Sequence, residues 1–261
     1  MASLRAFGVW GLWIVFGAAF LAGCGGAEKK PEVSPKDKEQ AQGHFEMGVA
    51  LINGGRGEEA LGELEEAVEI NPYDPEIHNA MGLVYFHKER FAKAEEAYKK
   101  AIELDPENTA DTMHNLGTLY LYLGRYDEAI NQFQNALADD TYRNRANTIN
   151  ALGWAYYKKQ SYVEAEQAFK DVIDRDARYY IAYDNLAKVY IATNRIDDAI
   201  TQLEFVLRFA PEYPEANLDL GICYLKKGEK DRAREHFLKV VQIDPLGKLG
   251  SQAQDYLNLI E

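Results

Sequence analysis

From Ala41 onward, small, large apolar and polar residues return with a period of 34. Six units can be counted, 41–74, 75–108, 110–143, 146–179, 180–213 and 214–247. Position 20 is alanine in every one: Ala60, Ala94, Ala129, Ala165, Ala199 and Ala233. Position 8 is small: Gly48, Gly82, Gly117, Gly153, Ala187 and Gly221. Position 11 is Leu51, then Tyr85, Tyr120, Tyr156, Tyr190 and Tyr224. Position 24 is always large: Leu64, Tyr98, Phe133, Phe169, Leu203 and Phe237. Pro72, Pro106, Pro211 and Pro245 close four units, and Thr141 and Ala177 stand there in the other two. Proline has no N–H and cannot continue a helix, so it punctuates the pattern. Small residues at positions 8 and 20 would let two backbones approach closely, with positions 11 and 24 filling the space between units.

The pattern resembles the tetratricopeptide repeat. That resemblance implies an all-α, right-handed superhelical solenoid of six repeats over 41–247. Ala253, Tyr256, Leu257 and Ile260 fall at helical spacing in Lys248–Glu261. This segment is expected to be a capping helix, because an uncapped solenoid exposes its last interface. Thr109 is one extra residue between the second and third units, and Asn144 and Arg145 are two between the third and fourth. They are either tolerated loop insertions or a change of curvature dividing the inner face.

The chain begins differently. Arg5 is followed by a 13-residue apolar run, Val9 to Leu21. The run is short for a membrane span and suits a signal peptide. It ends in Leu21-Ala22-Gly23-Cys24, which resembles the bacterial lipobox. The resemblance implies cleavage after residue 23, lipidation of Cys24 and membrane attachment through that lipid. Gly25, where an Asp would imply retention at the inner membrane, points to the outer membrane of a Gram-negative envelope. Gly25 to Gln40, with Pro31, Pro35 and many charges, reads as a flexible linker with an r.m.s. reach of roughly 20–24 Å.

The formal net charge is −13, which argues against nucleic-acid or anionic-headgroup partners and suits a basic one. With Cys24 acylated, Cys223 is left alone and no intramolecular disulfide is expected. The five histidines, His44, His78, His87, His114 and His236, form no metal or catalytic motif, and no nucleotide-binding or hydrolase signature is present. Neither a cofactor nor catalysis is expected. Glu58-Glu59 and Glu65-Glu66 read as solvated helix faces.

In the tetratricopeptide fold the first helix of each unit lines the concave surface. The corresponding positions give a polar stripe, Asn79, His114, Asn115, Asn150, Asp184 and Asn185. Beside it runs an apolar stripe of Leu83, Phe86, Leu121, Tyr122, Trp154, Tyr157, Ile191, Ile222 and Leu225. An apolar stripe on a solvent-facing groove suggests a protein partner. The asparagines are suited either to gripping a peptide backbone or to holding the repeats together. The expected groove residues are Asn79, Leu83, Phe86, Asn115, Tyr122, Asn150, Trp154, Tyr157 and Asn185, with Trp154 and Tyr157 as anchors on an open face.

A lipobox, a polar linker, six repeats and the third-to-fourth junction Asp140-Thr141-Tyr142-Arg143-Asn144-Arg145 together resemble the PilF/PilW/Tgl family of outer-membrane lipoproteins. These are pilotins of the type IV pilus secretin. The resemblance implies a protein that binds secretin subunits, with no cofactor. A general envelope scaffold recruiting peptidoglycan enzymes or outer-membrane assembly factors would share the lipobox and the repeats.

Overall fold

The computed structural model describes residues 32–260. The signal segment, Cys24 and the first part of the linker, 25–31, lie outside them. Among the described residues there are thirteen α-helices and no strand. Twelve form six antiparallel pairs: α1 (Pro35–Asn53) with α2 (Gly57–Ile70), α3 (Pro75–His87) with α4 (Phe91–Leu104), and α5 (Ala110–Tyr122) with α6 (Tyr126–Leu137). The next three are α7 (Arg145–Lys158) with α8 (Tyr162–Arg175), α9 (Tyr180–Ala192) with α10 (Ile196–Phe209), and α11 (Pro214–Lys226) with α12 (Lys230–Ile243). The last helix, α13 (Lys248–Ile260), packs on α12 and α11, and Phe237 stacks on Tyr256 at 4.9 Å and 6°.

The first helix starts earlier than the linker reading allowed. Ser34 caps α1 by accepting a hydrogen bond from the Asp37 N–H at 3.2 Å, with Pro35 in the first turn and Asp37 set against the positive end of the helix dipole. Residues 35–40 are therefore helical. A Ser-Pro start is a strong local signal that the polar composition of the segment concealed.

Packing inside each pair follows from positions 8, 20 and 24. All six position-20 alanines are fully buried. The position-24 side chain lies directly over position 8 of its own unit. A Cβ added to Gly82, Gly117, Gly153 or Gly221 would come within 2.4–2.7 Å of the ring of Tyr98, Phe133, Phe169 or Phe237. Where position 8 is alanine, at Ala187, position 24 is the smaller Leu203. Position 24 was expected to fill the gap between units; its main work is to close the gap within one.

The turn between paired helices repeats as closely. Gly55, Glu89, Gly124, Gln160, Asn194 and Gly228, all at position 15, have φ between 56° and 78°. The following N–H, at position 16, donates to the position-11 carbonyl at 2.7–2.9 Å in all six turns, the six-to-one bond of a Schellman motif. This motif places the side chains of positions 11 and 16 together. Two junctions use both to grip the preceding unit, and a third uses position 11 with an arginine from position 19. Arg125 donates to Glu95 at 2.6 and 3.3 Å, Tyr120 donates to the same carboxylate at 3.0 Å, and the guanidinium lies 4.1 Å from the Tyr120 ring. Arg195, Tyr190 and Glu166 repeat the arrangement, at 2.8 Å from the arginine and 3.3 Å from the tyrosine. Between the last two units Tyr224 donates to Glu204 at 3.0 Å beneath Arg232.

The Arg125 hydrogen bonds hold the Glu95 carboxyl at about 2, well below its ordinary 4.5, with Lys99 and Tyr120 assisting against the cost of burial. Its folded pKa is depressed, so its contribution is complete above the unfolded value and is lost as the pH falls through about 2. At about 1.4 kcal/mol per pH unit this amounts to at most ~3 kcal/mol. Glu95→Gln should therefore be clearly less stable than the natural chain near neutral pH, with the difference shrinking below about pH 4. Urea melts across an acid series measure this; a difference independent of pH would remove the clamp from the account.

The third-to-fourth junction is built otherwise. Tyr156 has no acid to bond and accepts a hydrogen bond from Gln134 at 3.0 Å. The two inserted residues bring Arg145 back over the end of α6, where it donates to the carbonyls of Leu137 at 2.9 Å and Asp139 at 2.7 Å. It thereby satisfies acceptors that a helix end leaves open. Tyr142 is buried, and its hydroxyl accepts from Thr148 at 3.4 Å, while Thr148 is bonded to His114 at 2.8 Å.

Candidate protein-binding groove

Successive first helices, from α1 through α11, touch one another, whereas no two second helices do. The first helices therefore form the inner wall of the stack. That wall carries Asn79, Leu83 and Phe86 on α3, Asn115 and Tyr122 on α5, Asn150, Trp154 and Tyr157 on α7, and Asn185 on α9.

The asparagines form two equivalent pairs. Asn115 donates to Asn79 at 3.0 Å, and Asn185 donates to Asn150 at 3.0 Å. Each pair ties neighbouring first helices together. Asn185, expected to face solvent, is only 9% exposed and its amide NH2 is committed to Asn150. Its role is to hold the wall, and the asparagines as a group are as much structural ties as groove ligands.

The aromatic positions gather into two clusters. Phe86, Phe91 and Tyr122 meet at 5.1–6.2 Å between centroids, and Tyr122 is 62% exposed. Trp154 stacks on Tyr157 at 5.0 Å and 13°, Tyr157 meets Tyr162 at 5.8 Å, and the Lys158 ammonium lies 4.7 Å over Trp154. Trp154 and Tyr157 are half-buried and pack against the core of the C-terminal repeats. The expected open face is thus a rim, because the next first helix approaches closely enough to cover part of each ring. Phe91 and Tyr162 were not anticipated. Both stand at position 17 of their units, a place the second helix turns toward the groove.

Two hollows line this wall. One, of about 470 Å³, is bounded by His114, Leu121, Asn150, Trp154, Tyr179 and Asn185 among others. The other, of about 390 Å³, includes Phe45, Val49, Ile52, Asn79 and Leu83. Their mixture of apolar walls and amides suits an extended or helical polypeptide segment. No group of three or more His, Cys, Asp or Glu residues that could hold a metal occurs among the described residues. Burial pushes the Cys223 thiol up to about 12, leaving it an un-ionised core side chain. Among the described residues no helix is long and apolar enough to cross a membrane.

Models of the tetratricopeptide repeat match residues 73–141 and 48–89, and one such model alone matches 114–180 and 185–248, more than half of the chain. The chain belongs to the tetratricopeptide repeat family. Among curated relatives of this repeat protein is the type IV pilus assembly protein PilF of Pseudomonas aeruginosa. PilF is 26% identical over 155 residues, covering 59% of this chain and 61% of PilF. Anaphase-promoting complex subunit 3 of Schizosaccharomyces pombe is 25% identical over 186 residues, covering 71% of this chain and 28% of that protein. The repeat protein thus spans less than two thirds of these curated relatives. A solved structure of Pseudomonas aeruginosa PilF superposes with a TM-score of 0.73 at 19% identity, covering 85% of this chain and 99% of that one. PilW, described as a widely conserved type IV pilus biogenesis factor, gives 0.76 at 19%, covering 83% and 98%. At that identity the superpositions establish the fold of the repeat protein alone: a tetratricopeptide solenoid.

Proposed function

We propose that this protein is a lipid-anchored scaffold that acts as a pilotin, bringing secretin subunits of a type IV pilus to the outer membrane and helping them assemble. The observation that carries the reading is its 26% identity with PilF, a type IV pilus assembly protein, over 155 residues. The Leu21-Ala22-Gly23-Cys24 segment and the aromatic groove supply the two properties such a role needs, an anchor and a surface for a partner. The described fold offers rings and amides for binding a polypeptide, and the work proposed for it is to hold and position a partner.

Cys24→Ala tests the anchor. Residue 24 lies before the repeats, so melting should be unchanged. A single acyl chain binds membranes marginally and two or more bind stably, so loss of lipidation should move the protein to the soluble envelope fraction. In cells carrying only this variant, secretin should accumulate as monomers away from the outer membrane. A variant that still sediments with outer membranes after a salt wash would remove the lipid anchor from the account. Full secretin multimers in cells lacking the protein altogether would remove the pilotin role.

A further inference from the structure

The inner wall repeats one arrangement with one substitution. Positions 5 and 6 of neighbouring first helices hold Asn79 with Asn115, and Asn150 with Asn185. Between the fifth and sixth repeats the same two places hold Asp184 and Asp219. Lys188, one turn beyond Asp184 on α9, forms an ion pair with Asp184 and lies 3.2 Å from the Asp219 carboxylate. The group is nearly closed off from solvent. The Asp184 side chain is 4% exposed, Asp219 17% and Lys188 22%.

Two carboxylates share one ammonium, and a third, Glu215, adds its field to both. Neither aspartate is satisfied. The buried Oδ1 of Asp184 accepts no hydrogen bond, and Asp219 Oδ2, close to Lys188, has none of good geometry. Burial lifts both carboxyls above the usual carboxylate range in spite of Lys188, whose own pKa burial lowers and the two aspartates raise further. An under-compensated buried charge is costly. Folding does not call for it, since neutral amides fill the same places twice elsewhere in this chain. A metal ion is a poor match, because Lys188 already occupies the space between the carboxylates. Trp154 lines the same hollow as Asn185, the neighbour of Asp184 on α9, so the Trp154–Tyr157 stack lies on the adjoining stretch of wall.

We propose that Asp184, Lys188 and Asp219 form a subsite for a cationic side chain, arginine or lysine, of a polypeptide lying in the groove. This rests on the reading that the inner face binds protein. The incoming cation takes Asp219, Lys188 settles on Asp184, and two positive charges then balance two negative ones. The rings of Trp154 and Tyr157 receive the aliphatic stem or a neighbouring apolar residue of the partner. A chain of net charge −13 draws basic segments toward such a site.

The probe is a random dodecapeptide library selected on the full chain, followed by one enriched peptide remade with citrulline, the neutral isostere of arginine. The control variant is Asp184→Asn/Lys188→Leu/Asp219→Asn, which rebuilds the Asn79, Leu83 and Asn115 arrangement already present between the second and third repeats. Asp219→Asn alone, which keeps the Lys188–Asp184 pair, serves if the triple variant does not fold. Enriched peptides should share a basic residue beside an apolar one. Citrulline should weaken binding to the natural chain by about tenfold or more, as loss of a charge-assisted contact does. Against either control variant arginine and citrulline should bind alike. If enriched peptides depend on Trp154 and Tyr157 yet carry no basic residue, or if the arginine preference survives in the control variants, the subsite is overturned and the groove stands. If no peptide is enriched, or binding ignores Trp154→Ala/Tyr157→Ala, the groove itself falls and the subsite with it.

Discussion

Gly153→Leu should cost about 3 kcal/mol or more and lower the melting temperature by ~6–12 °C. A Cβ at residue 153 would sit 2.7 and 3.0 Å from ring carbons of Phe169 and 3.1 Å from the Ala168 Cβ. Phe169 is fully buried, so the ring has nowhere to go, and three further carbons worsen the clash. Damage should spread to the neighbouring repeats, since each is stabilised by the next. The fifth repeat supplies a rescue. It pairs Ala187 with Leu203, so Gly153→Ala combined with Phe169→Leu should lose less than the two single changes added together. Thermal melts of the four proteins give the coupling directly. Unchanged melting of Gly153→Leu, or simple additivity of the pair, would mean that positions 8 and 24 do not close each repeat as described.

Trp154→Ala with Tyr157→Ala should weaken partner binding by roughly thirtyfold, the equivalent of about 2 kcal/mol for losing a buried aromatic anchor. The two rings stack at 5.0 Å, and Trp154 borders the larger of the two groove hollows. Being half-buried they also support the core, so a loss of stability accompanies the loss of binding. Affinity is therefore measured well below the melting transition, with circular dichroism alongside. Tyr122→Ala separates the two effects, because at 62% exposure its ring contributes little to folding. In cells the double variant should remain anchored and leave secretin unassembled. If it folds, anchors and still supports full multimers, the partner surface lies elsewhere, and the Tyr142–Arg145 junction is the next place to look.

The architecture was legible because packing in this fold is imposed by a few positions with narrow requirements. Alanine at position 20 and the small residue at position 8 recur for a steric reason, and steric reasons leave plain marks in sequence. The left-handed turn at position 15 recurs as strictly, yet it was not read. Glu89, Gln160 and Asn194 occupy it as well as three glycines, and a backbone requirement met by four residue types leaves no compositional trace. The groove was only partly legible. Which residues lie on the first helices follows from the register. How far each ring is covered depends on the spacing of neighbouring helices, and that spacing is set across the stack, outside any one repeat. The same gap hid Lys188, whose meaning depends on an aspartate 31 positions away on the next first helix.

The interior of the stack does not divide where the sequence divides. One apolar core runs from Ala41 to Phe133 and takes in Ala155, Leu152 and Tyr156 of α7, a second runs from Ala165 and Phe169 of α8 to Ile260, and a small third one, of Ile149, Ala168, Val172 and Ala182, lies between them. The fourth repeat therefore belongs to neither block alone: α7 gives Ala155 to the front core, Ile149 to the small middle one and the rings of Trp154 and Tyr157 to the back. For the front block α7 serves as a cover, as α13 does for the back, but α7 is also one half of a full pair with α8. A chain cut at the repeat boundary near Asn144 would leave the front core without Ala155, Leu152 and Tyr156, and one cut after α7 would leave Trp154 and Tyr157 without the core they pack on. The repeats read along the sequence are thus not the units in which the chain holds itself together, because the fourth repeat joins the two blocks.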